Sequence, residues 1–210
     1  NRFHSETIIR LENGFFCFLP PQKSPPVGDL PARKQGYITF GSFNNLAKIN
    51  DEVIALWSQI MHRCHASRLR LMAKPLADAS TRDRYLGLFQ ANGISPDRIE
   101  TITYTPSYYD YLSQYSQIDI GLDTYPHNGH TTTCDCLWMG VPVITMCGDR
   151  YASRMGASIL TRLQLERFIA DTKEAYRLSA INLAKNWDTL QELRLGMRKR
   201  FTSSPIYDAN

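Results

Sequence analysis

Strand-like and helix-like segments alternate from residue 37 to the end of this chain, and this alternation constrains the fold more than any other feature. Short apolar, strand-like runs are predicted at residues 37–40, 68–73, 99–104, 118–122 and 141–146. Helix-like spacing of apolar residues is predicted at about 51–61, 80–92, 108–115, 130–139, 153–160, 173–185 and 189–201. Repeated strand–helix units of this kind form a mostly parallel sheet with helices on both faces. We therefore predict an α/β fold, a Rossmann-like doubly wound parallel sheet with right-handed crossovers.

Local capping signals support two of these helices. Asn50 or Asp51 can cap the first of them, because their side chains accept hydrogen bonds from the amides of the first turn. Gly93 follows the second helix at the position where a left-handed residue commonly ends a helix.

The segment before residue 35 has a different character. Residues 1–18 are a short mixed stretch, and a Pro-rich stretch follows at 20–31. Closely spaced prolines indicate a linker or an irregular surface arm. We predict an N-terminal extension and linker over residues 1–34 and the regular domain over residues 35–210.

The composition indicates a globular protein and argues against nucleic-acid and membrane partners. Hydrophobic residues make up 43% and charged residues 21%, as in soluble globular proteins. The formal charge of +4, from 24 basic and 20 acidic residues, is too small to argue for a nucleic-acid partner. No apolar run approaches the roughly 18 residues of a membrane helix, so we predict no membrane partner. The chain starts at Asn1, with neither an initiator Met nor a signal-peptide core, which suggests a piece of a longer protein.

The five cysteines are odd in number and scattered, at positions 17, 64, 134, 136 and 147. This distribution argues against a disulfide framework and favours a reducing compartment, so we predict a cytoplasmic protein.

Ligands of doubly wound sheets bind at the carboxyl ends of the strands. The best candidate there is the segment 123–135, where a turn rich in Pro, Asn and Gly follows a strand and threonines open a helix. The first amides of a helix lack internal partners, and its dipole favours an anion. Thr131 and Thr132 add hydroxyl donors to those amides, which together predict a phosphate seat. Asp135 lies one turn further on, where a carboxylate can accept hydrogen bonds from ribose hydroxyls.

The second candidate is the polar segment 40–49, which follows the first predicted strand. Lys48 lies within reach of a diphosphate there and would act as a point charge. Plainer interpretations stay open for both segments: the threonines cap a helix, and Lys48 is a surface lysine.

Two other clusters are weaker. The residues of the His62–His65 cluster are metal-ligand types, but a zinc site needs about four converging ligands and no second cluster is near. The tyrosines at 104, 108, 109, 111 and 115 are more often packing residues than a base-stacking platform. We predict no bound metal.

The candidate segments resemble those of a known family. The motifs are FGSFNNLAKI at 40–49, NGHTT at 128–132, LWMGVPV at 137–143, ASR at 152–154 and SP at 204–205. In this order they resemble the catalytic region of O-linked N-acetylglucosamine transferases, and the similarity runs from about Ile8 to the end of the chain. The version here looks bacterial, of the type linked to tetratricopeptide repeats (TPR).

The resemblance implies a specific architecture and reaction. Family members have two Rossmann-like domains facing across a cleft, the GT-B arrangement, and this chain would be the C-terminal one. The N-terminal catalytic lobe and the TPR repeats would lie outside it. The implied enzyme is an inverting, metal-independent glycosyltransferase that moves a sugar from UDP-N-acetylglucosamine to Ser or Thr of acceptor proteins. It uses no cofactor, and this fragment alone would be inactive.

The resemblance also assigns roles by position. Lys48 would be the catalytic residue that neutralises the leaving diphosphate, with Asn45 beside it. His130, Thr131 and Thr132 would line the phosphate seat, and Asp135 would hold the ribose.

The chain departs from the family pattern at three positions. Tyr111 stands where relatives place a His over the nucleotide, Gln114 where an Arg is common, and Asn45 where others have Gln. Two further hypotheses therefore stay open: a catalytically degenerate module that binds partner proteins, and half of a sugar-nucleotide epimerase with the same domain plan. For Tyr111 itself, the alternatives are contact with the nucleotide and plain packing against the sheet.

Overall fold

Six parallel strands form the centre of the computed structural model, which describes residues 5–9, 11 and 16–207. The strands are β1 (Thr39–Ser42), β2 (Arg68–Met72), β3 (Ile99–Ile102), β4 (Ile120–Leu122), β5 (Val143–Met146) and β6 (Ile169–Ala170). Their order across the sheet is β3-β2-β1-β4-β5-β6, and every pairing is parallel. This is the strand order of a doubly wound Rossmann-like sheet, so the predicted fold class is confirmed.

Eight α-helices accompany the strands in the described part of the chain. They are α1 (Pro31–Gln35), α2 (Asp51–Arg63), α3 (Ala79–Ala91), α4 (Tyr108–Ser113), α5 (Thr131–Trp138), α6 (Met155–Arg162), α7 (Lys173–Ala184) and α8 (Trp187–Thr202). The Asn50 side chain caps α2 by accepting from the Val53 amide at 2.9 Å. Gly93 follows α3 with φ 78°. None of the described helices is long and apolar enough to cross a lipid bilayer.

The strand order reverses between β1 and β4, which lie side by side and parallel. From β1 the chain proceeds to β2 on one side, and from β4 it proceeds to β5 on the other. The connections that leave β1 and β4 therefore diverge and open a crevice at the carboxyl ends of these two strands. We call it the switch-point crevice. Gly121 of β4 lies close under α5, since a Cβ there would be 2.8 Å from Cys136 Sγ.

The structure differs from the sequence-based expectation in two short elements. Helix α1 begins at the last residue of the Pro-rich stretch interpreted as a linker or an irregular surface arm, and the boundary predicted at residue 34 falls within this helix. Strand β6 has two residues, which is too short to produce an alternating pattern. The first strand also begins at Thr39 instead of residue 37, because hydrogen bonding with β2 and β4 sets its limits.

The segment before α1 packs onto the sheet domain. Leu30 is 1% exposed and belongs to the hydrophobic core. The Ser24 hydroxyl accepts from Trp138 Nε1 at 2.9 Å, and the Phe18 amide donates to the Ile206 carbonyl at 2.8 Å. This segment therefore covers α5 and α8, and it does not extend away from them.

Candidate functional site

The connection after β1 forms one wall of the switch-point crevice. Asn44 is buried, whereas Asn45 is exposed and caps a short 3-10 turn by accepting from the Ala47 amide at 3.0 Å. Lys48 ends this turn and is half-buried. Its Nζ donates to the Asn128 carbonyl at 2.9 Å, so the lysine reaches across the crevice to the connection after β4.

The connection after β4 is organised around the buried carboxylate of Asp123. Its oxygens accept from the Gly129 amide at 2.6 Å, the Thr124 amide at 2.9 Å and the Thr145 hydroxyl at 2.7 Å. Asn128 is also buried, and its Nδ2 donates to the Thr124 carbonyl at 2.8 Å. Hydrogen bonds between side chains and backbone within residues 123–129 thus fix the path of the chain before α5.

Asp123 and Lys48 influence each other's ionisation. Burial raises the pKa of Asp123 to about 6, and hydrogen bonds and the nearby Lys48 offset part of this increase. Burial lowers the pKa of Lys48, while the negative charge of Asp123 raises it. Near neutral pH the ionised Asp123 therefore favours the cationic form of Lys48.

The predicted phosphate seat lies at the start of α5. His130 precedes the helix, Thr131 is exposed in its first turn, and that turn carries no acidic residue. The Thr132 hydroxyl donates to Asn44 Oδ1 at 2.9 Å, which ties α5 to the connection after β1. The structure therefore brings Lys48, His130, Thr131 and Thr132 to the same crevice.

Asp135 lies deeper than the seat. Its side chain is 2% exposed and accepts a hydrogen bond from the Tyr108 hydroxyl. Burial raises the pKa of Asp135 to about 6, while hydrogen bonds to tyrosine hydroxyls lower it. The Tyr108 hydroxyl therefore occupies one oxygen of this carboxylate.

Tyr111 belongs to a cluster of aromatic rings beside Asp135. Its ring is stacked on Tyr108 at a centroid distance of 5.7 Å and contacts Tyr115 edge-on at 5.6 Å. The Tyr111 and Tyr115 hydroxyls are 2.9 Å apart, and Tyr115 in turn donates to the Thr132 carbonyl at 3.2 Å. Tyr111 therefore packs among these rings, and its contact with a nucleotide stays a prediction. Gln114 begins the 3-10 turn that follows α4.

A cavity of about 420 Å³ opens beside Lys48. Its lining combines the connections after β1 and β4, from Asn45, Ala47, Lys48, Asn50, Pro126 and His127. The volume lies within the range of small-molecule sites, about 300–1,000 Å³. The pKa of His127 is lowered by burial and by the positive charge of Lys48, so near neutral pH its imidazole is uncharged.

Sequence reasoning assigned no individual role to five residues of this arrangement, namely Asn44, Tyr108, Asp123, His127 and Asn128, although all but Tyr108 lie in the candidate segments 40–49 and 123–135. Asp123 directly follows β4 and Asn44 lies two residues after β1, the two strands between which the strand order reverses, and this position could have marked them. Tyr108 gave no such signal, because its partner Asp135 lies 27 residues away in sequence.

The weaker clusters have structural roles in the described residues. His62 Nε2 lies 2.8 Å from the Asn92 carbonyl, at the end of α3. Cys134 and Cys136 are buried on α5. Within residues 5–9, 11 and 16–207, no group of three or more His, Cys, Asp or Glu side chains is placed to hold a metal ion.

The chain is similar to known proteins in both sequence and structure. Residues 29–210 match the family model described as glycosyl transferase family 41. A probable UDP-N-acetylglucosamine–peptide N-acetylglucosaminyltransferase SPINDLY of Solanum lycopersicum is 40% identical over 205 residues. That match covers 98% of this chain and 22% of the relative, so the chain spans about a fifth of the relative's length.

Two solved glycosyltransferase structures share the fold of this chain. The O-GlcNAc transferase of Thermobaculum terrenum, as its K341M mutant, superposes with a TM-score of 0.85 at 33% identity. The match covers 96% of this chain and 37% of that one. The C-terminal domain of a group 1 glycosyl transferase (LpcC) from Francisella tularensis has a TM-score of 0.62 at 12% identity, over 86% of this chain and 94% of that one. The latter likeness concerns the fold alone.

Proposed function

This chain belongs to glycosyl transferase family 41, and we propose that it is the donor-binding lobe of a protein O-glycosyltransferase. The proposed donor is UDP-N-acetylglucosamine, and the proposed acceptors are Ser and Thr hydroxyls of proteins. The names of the SPINDLY relative and of the Thermobaculum structure support this donor and this class of acceptor. The catalytic lobe that faces the crevice, and any TPR repeats, would be contributed by other parts of the protein.

One observation carries the proposal: Lys48 and the start of α5 face the same crevice from opposite connections. Lys48 reaches the Asn128 carbonyl, two residues before His130, while Thr131 and Thr132 form the first turn of α5. A diphosphate in this crevice would meet an ammonium group on one side and helix amides with hydroxyls on the other. Both groups are fixed before the ligand arrives: Lys48 by its bond to the Asn128 carbonyl, and the start of α5 by the Gly129–Asp123 and Thr132–Asn44 contacts.

This arrangement suits the departure of a nucleoside diphosphate. As the bond between sugar and phosphate breaks, negative charge accumulates on the diphosphate. Donors that are already aimed at that charge lower the barrier, since they need no reorganisation during the reaction. Lys48 and the α5 amides would supply this stabilisation without a divalent cation, and we therefore propose a metal-independent reaction. The resemblance to O-linked N-acetylglucosamine transferases further implies that the reaction inverts the configuration at the sugar.

Asn45 and Asp135 would complete the donor site. Asn45 is exposed at the rim of the cavity beside Lys48. Asp135 would accept from ribose hydroxyls in place of its present donor, Tyr108. Tyr111 is stacked on Tyr108, so displacement of Tyr108 by the ribose would also expose the Tyr111 ring to the nucleoside.

Calorimetric titration of the full-length protein with UDP, GDP and ADP, in EDTA and then in Mg²⁺, tests the proposed donor site. We expect UDP to bind most tightly, with the same affinity in both buffers. Tighter binding of GDP or ADP would overturn the assignment of the base. Binding that requires Mg²⁺ would overturn the metal-independent mechanism.

Product analysis separates the remaining alternatives. The full-length protein is incubated with UDP-N-acetylglucosamine and a Ser/Thr-containing protein substrate, and the nucleotide products are followed by NMR. A glycosyltransferase releases UDP in step with protein glycosylation, whereas an epimerase converts the sugar stereochemistry. A degenerate module would give neither product and no nucleotide affinity.

A further inference from the structure

A second cavity, of about 490 Å³, lies on the far side of the domain from the switch-point crevice. It is bounded by the C-terminal end of α6, the turn at Leu163 and Gln164, and one face of α8. Because this turn precedes β6 and all strands are parallel, it lies at the amino ends of the strands. The donor-site residues lie at the opposite, carboxyl ends, so the two cavities are separate.

The lining of this cavity is strongly basic. Four cationic side chains, Arg162, Arg167, Lys199 and Arg200, face it together with one acidic residue, Glu192. The whole chain has 24 basic and 20 acidic residues, so the four-to-one ratio here is far from the average. A concave surface lined by one sign of charge concentrates counter-ions.

Two of these cations are held in place by backbone contacts. Arg200 Nη1 donates to the Leu163 carbonyl at 3.1 Å, and Arg162 Nη1 donates to the Ser158 carbonyl at 2.9 Å. Guanidinium groups fixed in this way lose little freedom when they bind an anion, and their planar fork matches the oxygens of phosphate.

Two backbone features that cost stability lie at this cavity. Gly196 lies in the interior of α8 and lines the cavity, and a Cβ at this position would meet nothing within 4 Å. Glycine weakens a helix interior relative to alanine, yet no steric contact requires it here. Gln164 lines the same cavity with φ 56°, a left-handed conformation that is strained for a residue other than glycine.

We propose that this cavity is a binding site for a small anion that carries phosphate groups, independent of the donor site. The volume of the cavity suits a small molecule. Its four cationic side chains against one acidic one suit a ligand with at least two negative charges, and its fixed guanidinium groups suit phosphate oxygens. Thr189 and Ser203 line the same cavity, and their hydroxyls can act as additional donors.

The test uses inorganic pyrophosphate as the probe, in calorimetric titrations of the full-length protein. The variant Gly196→Phe fills the cavity without removing a charge, and it should weaken pyrophosphate binding by about tenfold or more, which corresponds to about 1.4 kcal/mol. Its matched control is Gly87→Phe, because Gly87 is also exposed in a helix with nothing within 4 Å of its Cβ position. The control should bind pyrophosphate like the wild type.

A second pair of variants tests the charges. Arg167→Gln/Lys199→Gln should weaken binding by a similar factor, whereas Lys34→Gln/Arg63→Gln removes the same net charge from exposed positions elsewhere and should not. Running the series with saturating UDP occupies the donor site in every variant, and only differences between matched variants are compared, so failure of the proposed function would not affect the result.

Three outcomes would overturn the proposal. One is wild-type pyrophosphate affinity in Gly196→Phe, and another is an equal loss in both charge variants. The third is equally tight binding of citrate, which has a similar charge but carboxylates in place of phosphates.

Discussion

Lys48 is the residue for which the proposed reaction makes the sharpest prediction. Its ammonium group bonds to the Asn128 carbonyl and is half-buried beside the cavity. Charge on the diphosphate grows as the bond to the sugar breaks, so Lys48 should act mainly on the transition state. We expect Lys48→Ala to lower kcat of the full-length enzyme by about 10²–10³-fold, the range for loss of one fixed electrostatic donor.

Steady-state kinetics and UDP titration measure the two parts of this prediction separately. UDP affinity should fall much less than kcat. Lys34→Ala is the matched control. Lys34 is exposed on α1, which precedes β1 and therefore lies at the amino ends of the strands, away from the crevice. A normal kcat with a raised KM would show that Lys48 contributes only to ground-state binding.

At the scale of elements, one buried arginine joins α8 to the rest of the fold. Arg194 is 1% exposed, and its guanidinium donates to the carbonyls of Gly28 at 3.0 Å and Ile118 at 2.8 Å. These contacts connect the segment before α1, the start of β4 and α8. Asp119, which directly precedes β4, accepts a hydrogen bond from the Ala32 amide at 2.9 Å and so holds α1 against the start of that strand.

Arg194→Met should therefore destabilise the protein substantially. It keeps most of the side-chain volume but leaves buried carbonyl groups without donors, and each unsatisfied group costs about 1–3 kcal/mol. We expect a loss of about 3 kcal/mol or more in the free energy of unfolding, measured by urea denaturation.

Arg33→Met is the control for this substitution. Arg33 forms an ion pair with Asp188 in which both side chains are exposed. Such pairs contribute about 0–1 kcal/mol. Equal effects of the two substitutions would contradict a structural role for Arg194.

At the scale of the whole molecule, buried carboxylates make stability depend on pH. Burial raises the pKa of Asp119, Asp123 and Asp135 from 3.8 to about 6. Each raised pKa contributes stability that is fully present below pH 4 and is lost as pH rises through about 6. His127 and His130 act in the opposite sense, because their pKa values are lowered and their contribution is lost as pH falls.

Comparison of the wild type with Asp135→Asn isolates one carboxylate from these opposing effects. Asn resembles the protonated form of Asp and does not titrate, and the histidines contribute equally to both proteins. The stability of the variant relative to the wild type should rise between pH 4.5 and 6.5, with a slope of up to about 1.4 kcal/mol per pH unit. Denaturant titrations at several pH values measure it, and a difference that does not change with pH would contradict the raised pKa of Asp135.

The sequence by itself determined the fold class and the edge of the sheet at which the candidate residues lie. Apolar periodicity places the five longer strands and the seven longer helices, because strand and helix patterns depend on residues close in sequence. Asn50 and Gly93 mark helix ends for the same local reason. The motifs at 40–49 and 128–132 follow β1 and β4, and the rule for parallel sheets puts both at the carboxyl edge.

Only the tertiary structure decided how the site is held. The Lys48–Asn128 contact joins residues 80 apart in sequence, and the Thr132–Asn44 contact joins residues 88 apart. The cover of Tyr108 over Asp135 and the short helix α1 likewise depend on distant partners. Local pattern shows which residues carry suitable chemistry, whereas burial and long-range hydrogen bonds determine their orientation and pKa, because both arise only when distant segments pack together.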